Sequence, residues 1–258
     1  MDEAPSVPIS SVQRSYAIVD EIRERDRAGA TELAAALDLP KSTVHNHLRT
    51  LAKLGYLIEE DGAYRLGGPY LHLGQAARNS RTVFEHGRSA VETLSEDTGR
   101  YCQLVVEEHG RAVALQSTRW APDEGARPSP QAYPRRAYLH TNAPGKAILA
   151  RLPEDRVTAI LDQHGLRSRT ELTVTDGEEL RAELATIDER GHALDRGELI
   201  RGMVGVAAPI ATDDRVYGAV AAYGPGEEMD AALDAGLPAR VRETADDVRA
   251  DIVFATPE

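Results

Sequence analysis

The chain has 258 residues, of which 41% are hydrophobic and 28% charged, with 21 glycines and 14 prolines. This profile excludes collagen-like, mucin-like and wholly disordered chains, and at about 150 residues per domain the length predicts two domains. Acids outnumber bases 42 to 30 for a formal charge of −12, which over the whole chain argues against a nucleic-acid partner.

No apolar run approaches the roughly 20 residues that span a bilayer. The start, Met1 to Ser11, carries Asp2, Glu3, Pro5 and Pro8 where a leader would be basic and then apolar. The expectation is a cytoplasmic protein with no membrane partner. The single cysteine, Cys102, rules out an internal disulfide and a Cys-rich zinc module. Lysine occurs only at Lys41, Lys53 and Lys146, so arginine supplies the other 27 bases. An acidic, lysine-poor surface reads as adaptation to high salt, where screening tolerates like charges, although a GC-rich genome alone also favours arginine.

Val12, Tyr16, Val19 and Ile22 recur at helical spacing and predict a helix from about Ser11 to Asp26. Gly29 ends it, and Thr31 is expected to cap a short helix, Glu32 to Leu37. Pro40 suits the first turn of a third helix, which runs to Leu54 and stops at Gly55. Val44, Leu48 and Leu51 form the buried face of that helix. Ser42, Asn46, Arg49 and Lys53 form one exposed stripe of hydrogen-bonding and cationic side chains. From Leu39 to Ile58 there is no acidic residue at all, while Lys41, Arg49 and Lys53 give +3. An ordinary solvated face of this chain would be mixed and mostly acidic. The stripe has what a recognition helix needs: short donors and acceptors for base edges and cations for phosphates. Tyr56 to Glu59 and Ala63 to Leu66 read as strands around Asp61-Gly62, a favoured hairpin dipeptide. Three helices and a hairpin make a winged helix-turn-helix. Within it Ser42, Thr43, His45 and Asn46 are expected to face bases, and Lys41, Arg49 and Lys53 phosphates. Arg14 on the first helix and Arg65 on the wing are expected to add backbone or minor-groove contacts.

Further along, Val83, Gly87, Ala90, Val91 and Leu94 mark a helix ending near Gly99. Tyr101 to Glu107 and Ala112 to Thr118 read as strands around His109-Gly110. The eighteen residues from Trp120 to Ala137, with four prolines, read as a long loop, functional or disordered. Tyr138 to Thr141 reads as a short strand before a helix through Gly145 to Arg151, and Pro153 opens another to about His164. Thr175 and Glu178 are expected to form a capping box for a helix carrying Leu180, Leu184 and Ile187. His192 to Asp195, Val204 to Ile210 and Val216 to Tyr223 read as strands. A last amphipathic helix carries Leu237, Val241, Val248 and Ile252. Hairpins with segregated helices predict an α+β domain with an antiparallel sheet.

The segment TELAAALDLPKSTVHNHLRTLAKLGYLIEEDGAYRLG, above all its LPKSTVHNHLRTL core, resembles the DNA-binding domain of the IclR family of transcriptional regulators. LHTNAPGKAILA, GHALDRGELIRGMVGVAAPI and VYGAVAAYGP resemble that family's effector-binding domain, so the likeness spans roughly residues 10–253. It implies an α+β two-domain protein: a winged helix-turn-helix over 10–68, a linker helix over 69–82 with Tyr70, Leu73 and Ala77 on one side, and a GAF-like antiparallel sheet with flanking helices over 83–254. It further implies a repressor or activator, a homodimer or tetramer on double-stranded operator DNA; with the acidic, lysine-poor composition the expected source is a halophilic archaeon. The effector it implies is an organic acid, sugar acid or aromatic acid. The family's pocket positions fall on Asn142, Ala143, Asp195, Gly205, Ala221 and Tyr223, to which His140, Cys102 and Arg119 are added from strand position. Members that bind small keto acids carry small donors where this chain has Gly205, Ala221 and Tyr223. That departure disfavours a glyoxylate-type ligand and leaves Asp195 to accept hydroxyl groups of a polyol or sugar acid. The bland alternative makes Asp195 a turn cap and Tyr223 a core residue.

Other functions find less in the residues. Gly145-Lys146 lacks the earlier glycine and the following Ser or Thr of a P-loop, and no G-x-S-x-G occurs. Cys102 on an apolar strand reads as a small buried hydrophobe before a nucleophile. The histidines have no metal-binding spacing, so no metal, cofactor or catalytic residue is expected. Two rivals stay open: a winged-helix module that contacts proteins and not DNA, and a metabolite-binding enzyme built on the GAF-like domain.

Overall fold

The computed structural model describes residues 7–118 and 136–255. Two compact units divide between Arg78 and Asn79.

The first unit contains α1 (Ser10–Arg25), β1 (Ala28–Gly29), α2 (Ala30–Leu37), α3 (Lys41–Lys53), β2 (Leu57–Glu60), β3 (Ala63–Leu66) and α4 (Pro69–Asn79, reaching one residue past the divide). Ile18, Ile22, Leu33, Val44, Leu48, Leu57 and Tyr64 are buried together between the three helices and the hairpin. Each such side chain stabilises the unit by about 1.5–3 kcal/mol relative to exposure. Asp61 and Gly62 both take positive φ, 52° and 78°, the backbone that a two-residue hairpin turn requires. Three readings are corrected here. Val12 and Tyr16 do not share the buried face of α1 with Val19 and Ile22; they are 49% and 64% exposed, and Ile18 takes their place in the core. Thr31 does not cap α2: Gly29 is the N-cap, and the Glu32 carboxylate reaches back to accept its N–H at 2.8 Å. The residue pair Ala28–Gly29, read only as a break, adds a third strand against β3.

The second unit runs α5 (Thr82–Thr98), β4 (Tyr101–Glu108), β5 (Arg111–Ser117), β6 (Arg136–Tyr138), a 3₁₀ turn (Leu139–Thr141), α6 (Ala143–Leu149), α7 (Glu154–His164) and α8 (Gly177–Arg190). It closes with β7 (Ala193–Arg196), β8 (Met203–Ala211), β9 (Val216–Pro225), α9 (Gly226–Asp234) and α10 (Leu237–Ala255). The six strands form one antiparallel sheet in the order β6-β5-β4-β9-β8-β7. Period-two alternation sends its residues to two cores. Cys102, Leu104, Val206 and Val220 pack with α5 and α10, while Tyr101, Ala207, Ala221 and Tyr223 pack with α6, α7 and α8. Leu139 to Thr141, read as strand, is the 3₁₀ turn that hands the chain from β6 to α6. Asp176, not Thr175, caps α8, its carboxylate accepting the N–H groups of Glu178 and Glu179 at 2.9 Å. The helix α9, unforeseen from the sequence, follows β9 directly. The expected loop from Trp120 to Ala137 lies outside the described residues except for Arg136 and Ala137, which are strand.

Candidate functional site

On α3 the buried residues are Val44 and Leu48. Lys41, Ser42, His45, Asn46, Arg49 and Lys53 are exposed and Thr43 is half-buried, so the expected base- and phosphate-facing side chains form one continuous surface. Arg14, on α1, is exposed as well. The hydrogen bond between Ser15 Oγ of α1 and His47 Nδ1 of α3, 2.8 Å, ties the back of that helix down, a contact the sequence reading missed. Arg65, on the wing, is exposed and paired within it: its guanidinium holds Glu60 Oε1 through Nη2 at 2.7 Å and Nε at 3.1 Å, which keeps the Glu60 carboxyl below its ordinary pKa. The wing tip therefore presents Glu59, Glu60 and Asp61 with one internally paired arginine.

The second candidate site is written in the sheet register. Asp195 pairs with Gly205, Gly205 with Tyr223, and Tyr223 with Tyr101, one residue from each of β7, β8, β9 and β4. The next row on the same face is Ala193, Ala207, Ala221 and Gln103. A Cβ on Gly205 would lie 2.2 Å from the Tyr223 ring, so the phenol lies over Gly205 and fills space that any larger residue there would take. The bare backbone at 205 and the ring at 223 are thus complementary in shape. Over the rows sits α6, whose first residue, Ala143, is fully buried. Asn142 caps α6: its Oδ1 accepts from Gly145 N at 2.9 Å and its Nδ2 donates to Tyr138 O at 2.7 Å. His140 on the 3₁₀ turn bonds the Arg167 carbonyl through Nε2, and burial holds its pKa low. Cys102 does not join this group. It shares the opposite face of the sheet with Val206 and Ala222, and burial pushes its thiol up to about 12. Arg119 lies outside the described residues.

Beside Asp195 the structure builds a charged cluster whose pairing the sequence does not reveal. Lys146 of α6 is 1% exposed and donates to Glu183 Oε1 of α8 at 2.7 Å and to Glu198 Oε1, in the turn after β7, at 2.6 Å. Asp195 Oδ1 in turn accepts the Glu198 N–H at 2.8 Å. Burial, and then the charge of Glu198, push the Asp195 carboxyl up to about 7; burial likewise raises Glu198 against the pull of Lys146. Asp195→Asn keeps the acceptor oxygen and removes the titration. Folded Asp195 retains a proton that the unfolded chain has released, so this group's contribution is full below its ordinary value near 4 and is lost as pH rises through 7. Denaturant unfolding should show the variant gaining on the parent across that window, by of order 4 kcal/mol at the top. A gap that stays constant with pH would mean that Asp195 ionises as an ordinary carboxylate.

Among the described residues no group of three or more His, Cys, Asp and Glu is arranged to hold a metal ion, and no helix is long and apolar enough to cross a membrane. A family model described as "IclR helix-turn-helix domain" matches residues 11–61, and one described as "Bacterial transcriptional regulator IclR C-terminal" matches 75–250. The chain is 32% identical over 241 residues to the protein named Probable HTH-type transcriptional regulator ArcR of Halobacterium salinarum, covering 92% of this chain and 91% of that one. It is 28% identical over 230 residues to the Transcriptional repressor IclR of Escherichia coli, covering 84% and 80%. Among solved structures, an IclR homolog from Microbacterium hydrocarbonoxydans complexed with 4-hydroxybenzoate superposes with a TM-score of 0.77 at 23% identity, over 95% of this chain and 99% of that one. The Thermotoga maritima IclR gives 0.73 at 20%, over 94% and 98%.

Proposed function

We propose, from the premise that this chain belongs to the IclR family of transcriptional regulators, that it works as a homodimer or a dimer of dimers on a palindromic operator in the cytoplasm. It is a DNA-binding regulator with an effector-binding C-terminal domain. In our reading residues 10–68 hold the operator, 69–82 connect, and 83–254 hold the effector. The observation that carries the DNA reading is the carboxylate-free face of α3 in a chain of charge −12. Ser42, Thr43, His45 and Asn46 read base edges from the major groove, while Lys41, Arg49, Lys53 and Arg14 meet phosphates. Exposed Val12 and Tyr16 on α1 and Leu71 and Leu73 on α4 support a second copy of the chain as the partner. The test is a fluorescence titration of a selected operator duplex at several salt concentrations near molar. These eight cations per dimer should give a log–log slope near −7, at about 0.9 per phosphate. No binding to any duplex would favour a winged-helix module that contacts protein.

The wing adds a separate expectation. Its acidic tip faces phosphates only at an electrostatic cost, and Glu60 occupies Arg65. Glu60→Gln should raise operator affinity several-fold at 0.1 M salt, with the gain fading towards 1 M, where the screening length is about 3 Å. Equal affinity of variant and parent at low salt would mean that the wing stands clear of the DNA.

For the effector, the reading supported best is a small organic molecule under α6, against Asp195, Gly205, Ala221 and Tyr223. The Tyr223 ring over Gly205 leaves no small donors for a keto acid, and the buried Asp195 favours a hydroxylated ligand, a sugar acid or polyol. An aromatic acid is the second reading, because the structural neighbour holds 4-hydroxybenzoate. The ligand regulates by preferring one dimer arrangement and so changing half-site spacing.

A further inference from the structure

The cluster around Lys146 says which end of an effector this site takes. Lys146, Asp195 and Glu198 are 1%, 2% and 7% exposed, and Glu183 completes the set from α8. Above about pH 7, where Asp195 has released its proton, three carboxylates face one ammonium, a balance of −2. Two of the ammonium's donor directions are already spent on Glu183 and Glu198. Asp195 Oδ1 is spent on the Glu198 N–H. Glu198 Oε2, by contrast, is buried with no hydrogen-bond partner among the described residues, and a buried charged acceptor without a donor is costly. Asp195 and Glu198 are tied to each other through the Glu198 N–H, so the two carboxyl groups make one negative end of the cluster.

We propose that Glu198 is an effector-contacting residue, and that it and Asp195 together receive a hydrogen-bond-donating group of the ligand, a hydroxyl or an ammonium, never a carboxylate. The proposal rests on the effector reading above and sharpens it. A donor group satisfies Glu198 Oε2 and reduces the repulsion between the two carboxylates. An incoming carboxylate adds a third uncompensated negative charge next to them, in a place where charges are poorly screened. If the ligand carries a carboxylate, as a sugar acid does, that group points away from this end. Lys146 is then a positioning residue: it fixes the Glu198 carboxylate from α6.

The experiment is calorimetry and thermal melting of the full chain in molar salt at pH 8, where Asp195 is ionised, with four probes: xylitol, xylonate, 1,4-diaminobutane and pyruvate. A ligand of the native state raises the melting temperature by mass action. Binding of xylitol, xylonate or the diamine, with none by pyruvate, is the expected result, and loss of affinity on raising salt separates the amine from the polyols. Glu198→Gln should weaken the probe that binds about tenfold, the equivalent of one charge-assisted hydrogen bond. Glu183→Gln removes the other partner of the same lysine but no proposed ligand contact, and for a polyol should weaken binding clearly less than Glu198→Gln does. That comparison separates contact from loosened packing, and each variant's melting curve without ligand checks that it folds. Pyruvate binding that depends on Asp195 would overturn the donor-end assignment while leaving the effector reading intact. Equal weakening by Glu183→Gln and Glu198→Gln would overturn the contact. No binding by any probe would overturn both, with operator binding untouched.

Discussion

Lys146→Met is expected to destabilise the C-terminal unit by roughly 3–5 kcal/mol, the cost of removing one partner from a buried ion cluster. The side chain itself fits: methionine is similar in length and apolar, and Ala143, Ala147, Ile148 and Leu180 stand in the same core. The cost comes from what is left behind. Glu198 would lose the donor at 2.6 Å and Glu183 the donor at 2.7 Å, with Asp195 still adjacent. The carboxylates then escape only by taking up protons, so the loss should be greatest near neutral pH and shrink as pH falls into the carboxylate range. Denaturant unfolding of Lys146→Met, Glu198→Gln and the double variant makes a cycle. The double variant should be more stable than the sum of the singles implies, by 1 kcal/mol or more. Additive effects would mean that Lys146 and Glu198 do not act as a pair. Lys146→Arg is not a conservative control, because a planar guanidinium cannot occupy the space of a compact ammonium.

The same lysine marks the limit of what the sequence conveys. In the linear reading Gly145-Lys146 was testable only as a nucleotide motif, and it fails that test. Its partners lie 37 and 52 residues away, on a helix and a turn that meet α6 only after the sheet has formed. The rarity of lysine, three in 258 residues, was the one available hint that a buried one serves a purpose. Short-range features came through far better. The α3 stripe is legible because helical period and an acid-free stretch coincide, and both hairpin turns of the form X-Gly are where the dipeptides put them. Caps were misplaced by a residue or two where neighbours compete for the role, Asp176 beside Thr175 and Gly29 ahead of Thr31. The Gly29 cap depends on Glu32 reaching back, not on a cap side chain. Helix α9 escaped because it starts at Pro225-Gly226 and buries a single residue, Met229, leaving almost no apolar period to read. Cys102 falls on the other face of the sheet because its parity is opposite to that of Tyr101 and Gln103, which membership of the strand alone does not convey.

On the operator, Asn46→Ala and Arg49→Ala should both weaken binding, in distinguishable ways. Asn46 stands exposed in the middle of α3, one turn before Thr50, whose hydroxyl bonds the Asn46 carbonyl at 2.8 Å and leaves the amide side chain free of that contact. An asparagine there can pair two atoms of an adenine edge, a contact worth about 1–3 kcal/mol of discrimination. Two half-sites on a dimer double that to roughly 2–6 kcal/mol. Truncation should therefore cost most on the true operator and little on random duplex, so that the specificity ratio collapses. Arg49, on the same face and cationic, meets a phosphate in this reading. Its loss should weaken operator and random duplex about equally and reduce the salt slope of the dimer by about 2. If Asn46→Ala weakened both duplexes alike, its amide would belong on the backbone, and base reading would shift to Ser42, Thr43 and His45. If neither variant changed operator affinity, α3 would not be the recognition helix, and the absence of carboxylates from its face would need another cause.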